Sequence, residues 1–261
     1  MAKAKILIVE DEALIARATA NTLKYFDYEI TAIVSTGPEA IKKAKETRPN
    51  LVLMDISLKG EMDGIEAAKS IIKQLDIPVV YVTAYPDELV FERAKKTLPH
   101  GYLIKPYEER QLCDTIELAL HKHNAEKEYR SFFENNRDAN YMTDKSGEII
   151  KVNSSFCELF GYTPNEIIEI NVLELYDNPA EKANFIAKVE QKGHVQNHEV
   201  KLHKKDGTLV DCLISASARL DDEGKIICYQ GMIHDITAQK QAAKALEESE
   251  TRYRKLFDAS P

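Results

Sequence analysis

Glu10-Asp11-Glu12, Asp55, Thr83 and Lys105 are the residues of this chain whose types and placement suit chemistry. Each follows a short apolar run: "ILIV" before the acids, "LVLM" before Asp55, "VVYV" before Thr83 and "YLI" before Lys105. Carboxylates gathered at close range repel and raise one another's pKa unless a cation is present. An oxygen-only donor set of this kind suits Mg²⁺. A carboxylate beside Mg²⁺ can attack a phosphoryl group and form an aspartyl phosphate. A lysine at such a site neutralises phosphoryl oxygens, and a threonine hydroxyl donates to one. All of this requires the four stretches to converge, so the elements that carry them matter next.

"KILIV" (5–9), "YEITAIVST" (28–36), "LVLMD" (51–55), "PVVYVTA" (78–84) and "GYLIK" (101–105) read as strands. Between and after them lie helical patterns at Leu14 to Leu23, 38–47, 64–75, near 87–97 and from 108, with Pro38 well placed at a helix start. Continuous apolar strands alternating with helices imply a parallel sheet covered on both faces. In such sheets the working residues sit at the carboxyl ends of the strands, which is where the acids, Thr83 and Lys105 fall. "VEDEAL" contains no glycine, which excludes a dinucleotide-binding turn after the first strand. The same acids would repel a flavin phosphate.

"ILIVEDE", "LVLMDISLKGEMDG", "VVYVTAY" and "GYLIKPY" occur in that order, and with them residues 4–122 resemble a response-regulator receiver domain over its whole length. The resemblance implies a doubly wound five-stranded parallel sheet in the order 2-1-3-4-5. It implies Asp55 as phosphoacceptor, with Glu10, Asp11, Asp55 and the backbone carbonyl of Ser57 holding Mg²⁺. Thr83 and Lys105 then read the phosphoryl group, and Tyr102 matches the family's switch aromatic. Ser57 and Tyr85, two positions beyond Asp55 and Thr83, match the positions that modulate hydrolysis of the phosphoryl group. The Lys105–Pro106 bond is expected to be cis, as in that family. Taken singly, the residues have plainer readings: Asp11 as a helix N-cap, Tyr102 as a core aromatic, Lys105 as a surface lysine.

From Glu108 to Asn136 the chain has no proline or glycine. Leu112, Ile116, Ala119 and Phe133 fit a seven-residue register, whereas His123, Glu126 and Arg130 in the same register are polar. Two readings stay open: a final receiver helix followed by a separate helical cap, or one rigid helix that pairs with a second copy of the chain.

Beyond it, "ANYMTD" (139–144) and "GEIIKVN" (147–153) are strand-like, and a helical region follows. Three further strands, "VQNHEVKLH", "TLVDCLISASARL" and "KIICYQGMIHDI", are joined by the hairpin turns "KKDG" and "DDEG". Val210, Cys212, Ile214, Ala216 and Ala218 alternate along one face of the middle strand, as a half-buried strand requires. With "VNSSFCELFGYTPNEI", "HKKDGTLVDCLISAS" and "GMIHDITAQK", residues 128–238 resemble a PAS domain, a five-stranded antiparallel sheet cupping short helices. Glu169 departs from the glycine common in that family. The resemblance implies that Asp235 and Thr237 tie the sheet to the outgoing helix and form the signal exit. Members of the family hold flavin, haem or small metabolites in the cup. Cys157 lies in "SSFCELFG", which is not the context of a flavin-reactive cysteine. His198 and His203 fall five apart on opposite faces of a strand, and these two and His194 read as solvated edge histidines. No PAS ligand is therefore assigned.

The expected domains are a receiver at 1–122, a linker helix at 123–137, a PAS domain at 138–238 and an outgoing helix at 239–261. Tyr129-Arg130 and Phe133 recur in spacing as Tyr253-Arg254 and Phe257, so "RYRKLFDASP" reads as the entry of a second PAS domain. With 43 acidic and 35 basic residues the net charge is −8, which argues against a nucleic-acid binder. Four cysteines without CxxC spacing suit a reducing cytoplasm and no zinc site. No apolar run is long enough for a membrane span or a signal peptide.

Two hypotheses for the whole chain remain. In the first it is a two-component response regulator, cytoplasmic and not an enzyme beyond slow self-dephosphorylation, phosphorylated by a cognate histidine kinase and able to pair through its receiver and linker helices. In the second it is the front of a hybrid sensor histidine kinase, whose phosphoacceptor-histidine helix and ATP-binding domain are not visible in these residues.

Overall fold

A computed structural model of the chain describes residues 4–84 and 88–258. The chain divides into two compact units, residues 1–128 and 129–261.

The first unit carries β1 (Lys5–Val9), α1 (Ala13–Tyr25), β2 (Glu29–Val34), α2 (Gly37–Thr47), β3 (Leu51–Asp55), α3 (Gly64–Leu75), β4 (Val79–Thr83), α4 (Glu88–Lys95), β5 (Gly101–Ile104) and the start of α5 (Glu109–Glu134). The strands form one parallel sheet in the order β2-β1-β3-β4-β5. β1 from Ile6, β3 up to Asp55 and β4 up to Thr83 read as unbroken apolar runs because alternate residues feed two different cores. Leu7, Val9, Val52, Met54, Val79 and Tyr81 pack with Ala40, Ala44, Ile65, Ala68 and Ile71 of α2 and α3 on one face. Ile6, Ile8, Leu51, Leu53, Val80 and Leu103 pack with Ala20 and Leu23 of α1 and Leu112, Ile116 and Ala119 of α5 on the other. Each fully buried aliphatic side chain contributes on the order of 1.5–3 kcal/mol of transfer free energy.

Local chemistry sets the helix ends. The Thr36 hydroxyl accepts from the Glu39 N–H ahead of Pro38 in α2, and the Asp63 carboxylate caps α3 by accepting from the Glu66 N–H at 2.9 Å. Arg48 and Asp76 close α2 and α3 in the left-handed conformation, and the Lys105–Pro106 peptide is cis as expected.

α5 is a single continuous helix of 26 residues that crosses the boundary between the two units. The apolar positions Leu112, Ile116 and Ala119 are fully buried against the receiver sheet. That stretch of the seven-residue register is therefore occupied within the chain and is not a free seam.

The second unit carries β6 (Ala139–Thr143), β7 (Ile149–Val152), α6 (Ser154–Phe160), α7 (Pro164–Ile167), a 3₁₀ turn (Val172–Leu175), α8 (Pro179–Lys192), β8 (His194–His203), β9 (Leu209–Leu220), β10 (Ile226–Asp235) and α9 (Thr237–Asp258). Its sheet is antiparallel in the order β7-β6-β10-β9-β8. Val210, Cys212, Ile214 and Ala216 of β9 face the core, as their alternation required, with Phe156, Phe160, Ile167, Phe185 and Val189 of the helices above them. Among the described residues no helix is long and apolar enough to cross a membrane.

Candidate functional site: an acidic cluster at the strand ends

The carboxyl ends of β1, β3 and β4 and the turn after β5 meet at one edge of the parallel sheet. Glu10, Asp55 and Thr83 are buried there, at 6%, 6% and 4% exposure. Carboxylate oxygens of Glu10, Asp11 and Asp55 all lie within 4.8 Å of one another. Lys105 Nζ donates to Glu10 Oε2 and to Asp55 Oδ2, each at 2.6 Å. The other oxygen of Asp55, Oδ1, accepts from the Ser57 N–H at 2.8 Å. Lys105 is placed by the sheet: its own N–H donates to the Thr83 carbonyl at 2.7 Å, one step past the Thr83–Ile104 pair.

Burial holds the Glu10 carboxyl above its ordinary pKa, and the neighbouring Asp55 adds to the effect against the opposing bond from Lys105. For Lys105, burial opposes the charge, but the bonds to Asp55 and Glu10 outweigh it and raise its pKa. Lys105 is thus a fixed cation between two acids. Hard oxygen donors with net negative charge fit a small divalent cation such as Mg²⁺. Glu10, Asp11 and Asp55 are the side chains that would hold it.

Of the residues expected at the receiver site, Glu10, Asp11, Asp55, Thr83 and Lys105 stand at this edge. Ser57 is exposed at the rim of the β3–α3 loop. Tyr102, on β5, is half-buried, with its ring 5.8 Å from Tyr81 and 5.2 Å from Phe91 and its hydroxyl oxygen buried without a hydrogen-bond partner. Tyr85 lies outside the described residues.

Two residues at the site escaped the sequence reading. Lys59 Nζ lies 2.9 Å from Asp11 Oδ2. Gly64, the first residue of α3, sits so close beneath β3 that an added Cβ would lie 1.9 Å from the Asp55 carbonyl oxygen. Gly64 follows a helix-capping residue, and a glycine in that place does not by itself show that a carbonyl stands opposite it. Lys59 carried no signal of its own in a polar loop.

In the second unit the closing Asp235-Ile236-Thr237 segment is a bonded knot. The Thr237 N–H donates to Asp235 Oδ1 at 2.8 Å, the Asp211 N–H donates to Thr237 Oγ1 at 3.0 Å, and the Ile236 N–H donates to the Asp211 carbonyl. Lys240 of α9 reaches Glu199 of β8 and Asp211 Oδ1 of β9. The cup encloses a cavity of about 40 Å³ lined by Tyr141, Leu173, Tyr176, Phe185, Ile214 and Ile233, among others. Cys157 is part-buried on α6, and burial, then Glu134 and Glu158, push its thiol pKa up, away from a nucleophilic thiolate.

The histidine reading needs correction at one position. His194 is exposed, but His198 is half-buried with its ring 5.3 Å from Phe185 and its Nε2 without a hydrogen-bond partner. Beyond the register shift between Val195 and His198, plain alternation puts His198 on the same side as the buried Val200 and Leu202. His203 Nε2 lies 2.9 Å from Asp177 Oδ1.

Comparison with known proteins agrees with this arrangement. Residues 6–117 match the response regulator receiver domain and residues 127–236 match the PAS fold. The chain is 38% identical over 116 residues to the transcriptional regulatory protein PdtaR of Mycobacterium tuberculosis, covering 44% of this chain and 56% of that one. It is 32% identical over 117 residues to the phyllosphere-induced regulator PhyR of Methylorubrum extorquens, covering 44% and 43%. The chain thus spans about half the length of these curated relatives. Among solved structures, the signal receiver domain of a modulated diguanylate cyclase from Desulfovibrio desulfuricans G20 is 36% identical with a TM-score of 0.46, covering 47% of this chain and 98% of that one. The chain therefore carries a response regulator receiver domain at 6–117 followed by a PAS domain at 127–236.

Proposed function

We propose that the chain accepts a phosphoryl group on Asp55 from a cognate histidine kinase and passes the change of state through α5 to the PAS domain. The observation that carries this reading is the position of Lys105, 2.6 Å from both Glu10 and Asp55, in the cluster that the Asp11 carboxylate completes. One carboxylate oxygen of Asp55 forms the new O–P bond as the P–N bond of a phosphohistidine donor breaks, and the electron pair returns to the donor imidazole. Mg²⁺, held by Glu10, Asp11, Asp55 and the Ser57 carbonyl, would offset the charge of the phosphoryl oxygens. Lys105 exchanges its bond to Asp55 for one to a phosphoryl oxygen, and the Thr83 hydroxyl donates to another. Movement of Thr83 toward the phosphoryl group opens space into which Tyr102 turns. Ser57 and Tyr85 modulate the lifetime of the aspartyl phosphate.

In this reading the receiver occupies 1–122, the linker helix 123–137, the PAS domain 138–238 and the outgoing helix 239–261. Asp235 and Thr237 deliver the change to α9. The protein works in the cytoplasm as a phosphoacceptor with slow self-dephosphorylation and turns over no outside substrate. Its PAS cup functions without flavin or haem, and the ultraviolet-visible spectrum of the purified protein tests this by the absence of their bands. Pairing of two copies through receiver and linker helices is tested by solution mass with and without beryllofluoride; an unchanged monomer in both removes it.

The central test is labelling by acetyl phosphate in the presence of Mg²⁺. The wild-type chain is labelled and Asp55→Asn is not. Full labelling of Asp55→Asn would overturn the assignment.

A further inference from the structure

The acidic cluster is matched by two lysines, and only one of them belongs to the phosphoryl chemistry above. Lys105 bridges Glu10 and Asp55. Asp11, the remaining acid, has its Oδ2 2.9 Å from Lys59 Nζ. The two partners differ in setting: the Lys59 side chain is 81% exposed, whereas Asp11 is only 11% exposed. The ammonium therefore caps a largely sheltered carboxylate from the solvent side, which is the side from which a hydrated metal ion arrives.

The loop is built to present this lysine. Leu58, just before it, is buried at 8% exposure in the core between the sheet and α2–α3, and anchors the chain. Gly60, just after it, has φ 122°, a conformation that side chains rarely adopt, with open space around it. Lys59 thus stands between a fixed point and a turn, four residues past Asp55, with its stem free to swing.

We propose that Lys59 is a built-in competitor for the divalent cation: it occupies Asp11 in the metal-free protein and must leave before Asp11 can serve as a ligand. This rests on the reading of Glu10, Asp11 and Asp55 as a Mg²⁺ site. Metal binding then includes loss of the Lys59–Asp11 pair and placement of a dication beside an ammonium. Lys59 thereby sets how much free Mg²⁺ the receiver needs before Asp55 is ready for phosphoryl transfer. An exposed ion pair of this kind is weak enough to be displaced by millimolar metal and strong enough to shift its affinity by roughly three- to five-fold.

The test is calorimetric titration of the full chain with MgCl₂, comparing wild type, Lys59→Gln and Lys59→Arg. Lys59→Gln keeps most of the stem without the charge, and because the side chain is exposed the variant is expected to fold as the wild type does. Lys59→Gln is expected to bind Mg²⁺ about three- to five-fold more tightly, with Lys59→Arg close to wild type. The gap should narrow as salt rises from about 50 to about 300 mM, since exposed charges are screened; a purely structural role would not give that salt dependence. Equal or weaker Mg²⁺ binding by Lys59→Gln, with saturable binding by the wild type, overturns the proposal and leaves the metal site standing. Absence of saturable Mg²⁺ binding by the wild type overturns the metal site and this proposal together.

Discussion

Replacing Gly64 by alanine tests whether Asp55, the proposed phosphoacceptor, is held in place by backbone contact. A Cβ at Gly64 would lie 1.9 Å from the Asp55 carbonyl oxygen, 2.9 Å from its carbonyl carbon and 3.0 Å from Ile56 Cα. The shortest of these is about 1.5 Å inside ordinary van der Waals contact, which begins near 3.4 Å. All three atoms are backbone, so no side chain can rotate away. Neither partner moves freely: the Gly64 N–H donates to the Ile56 carbonyl at 3.1 Å, Asp63 caps the same helix, and Asp55 is paired in the sheet with Val82. Overpacking of a tight site costs about 1–3 kcal/mol, and this contact belongs at the upper end. For a domain of this size that lowers the melting temperature by roughly 10 °C. The relief must come from moving the end of β3 or the start of α3 by more than an ångström, which also shifts Asp55 relative to Lys105. A misplacement of about 1 Å at a reacting centre can cost on the order of 10²-fold in rate. Thermal melts and acetyl phosphate labelling of Gly64→Ala measure both effects. Gly37→Ala is the control, because its closest new contacts are the Met62 side-chain atoms Cγ and Sδ at 2.9 and 3.0 Å, which can swing aside. If Gly64→Ala melts and labels like Gly37→Ala, the steric argument is wrong.

Two further predictions concern groups away from the acidic cluster. The His100 side chain is only 9% exposed, its ring lies 5.2 Å from that of His123, and Glu126 is 3.6 Å from its Nε2. Burial first, then His123 and Lys122, hold its pKa below the ordinary 6.5, against the opposing pull of Glu126 and Asp76. Below about pH 6.5 the unfolded chain takes up a proton that the folded chain resists, so stability falls as pH drops from there toward the folded-state pKa. Urea midpoints at pH 7.5 and 5.5 should therefore separate more in the wild type than in His100→Gln; equal separations would remove His100 from the account. In the PAS unit, Asn153 is 1% exposed, and its Oδ1 accepts from the Asn140 and Phe156 N–H groups at 2.9 and 3.0 Å. Asn153→Ala removes the acceptor of the Asn140 N–H, at about 1–3 kcal/mol, while the Phe156 N–H keeps the backbone carbonyl of residue 153 at 3.2 Å; the variant should lower the melting temperature of the PAS unit by several degrees with Asp55 labelling unchanged. Wild-type melting of that variant would show that the network is dispensable.

Much of the fold could be read along the chain because its signals are local. "LVLM" and "VVYV" are apolar at every position since both faces of β3 and β4 are covered, and that alone marks a buried parallel strand. The turns "KKDG" and "DDEG" close as hairpins because Gly207 and Gly224 take φ values of 82° and 79° while the Gly207 and Gly224 N–H groups bond back to the Lys204 and Asp221 carbonyls. The acidic cluster was legible for a related reason: a strand that ends in a charged residue places it at the sheet edge, and a parallel sheet puts all such ends on one side. What the pattern does not report is the identity of the surface on the other side of a contact. The spacing of Leu112, Ile116 and Ala119 shows that one face of α5 is covered, and the same spacing serves a partner helix or, as found, the chain's own sheet. His198 illustrates a second limit: alternation puts it on the side of Val200 and Leu202, but nothing in the strand shows that the Phe185 ring stands over it. Lys59 and Gly64 mark the third. Their roles depend on distances to Asp11 and Asp55 across the fold, and a lysine in a loop or a glycine after a cap looks the same whether or not an acid or a carbonyl stands opposite. The residues that carry the chemistry are therefore legible from type and position, whereas those that hold or oppose them become visible only when the chain is folded.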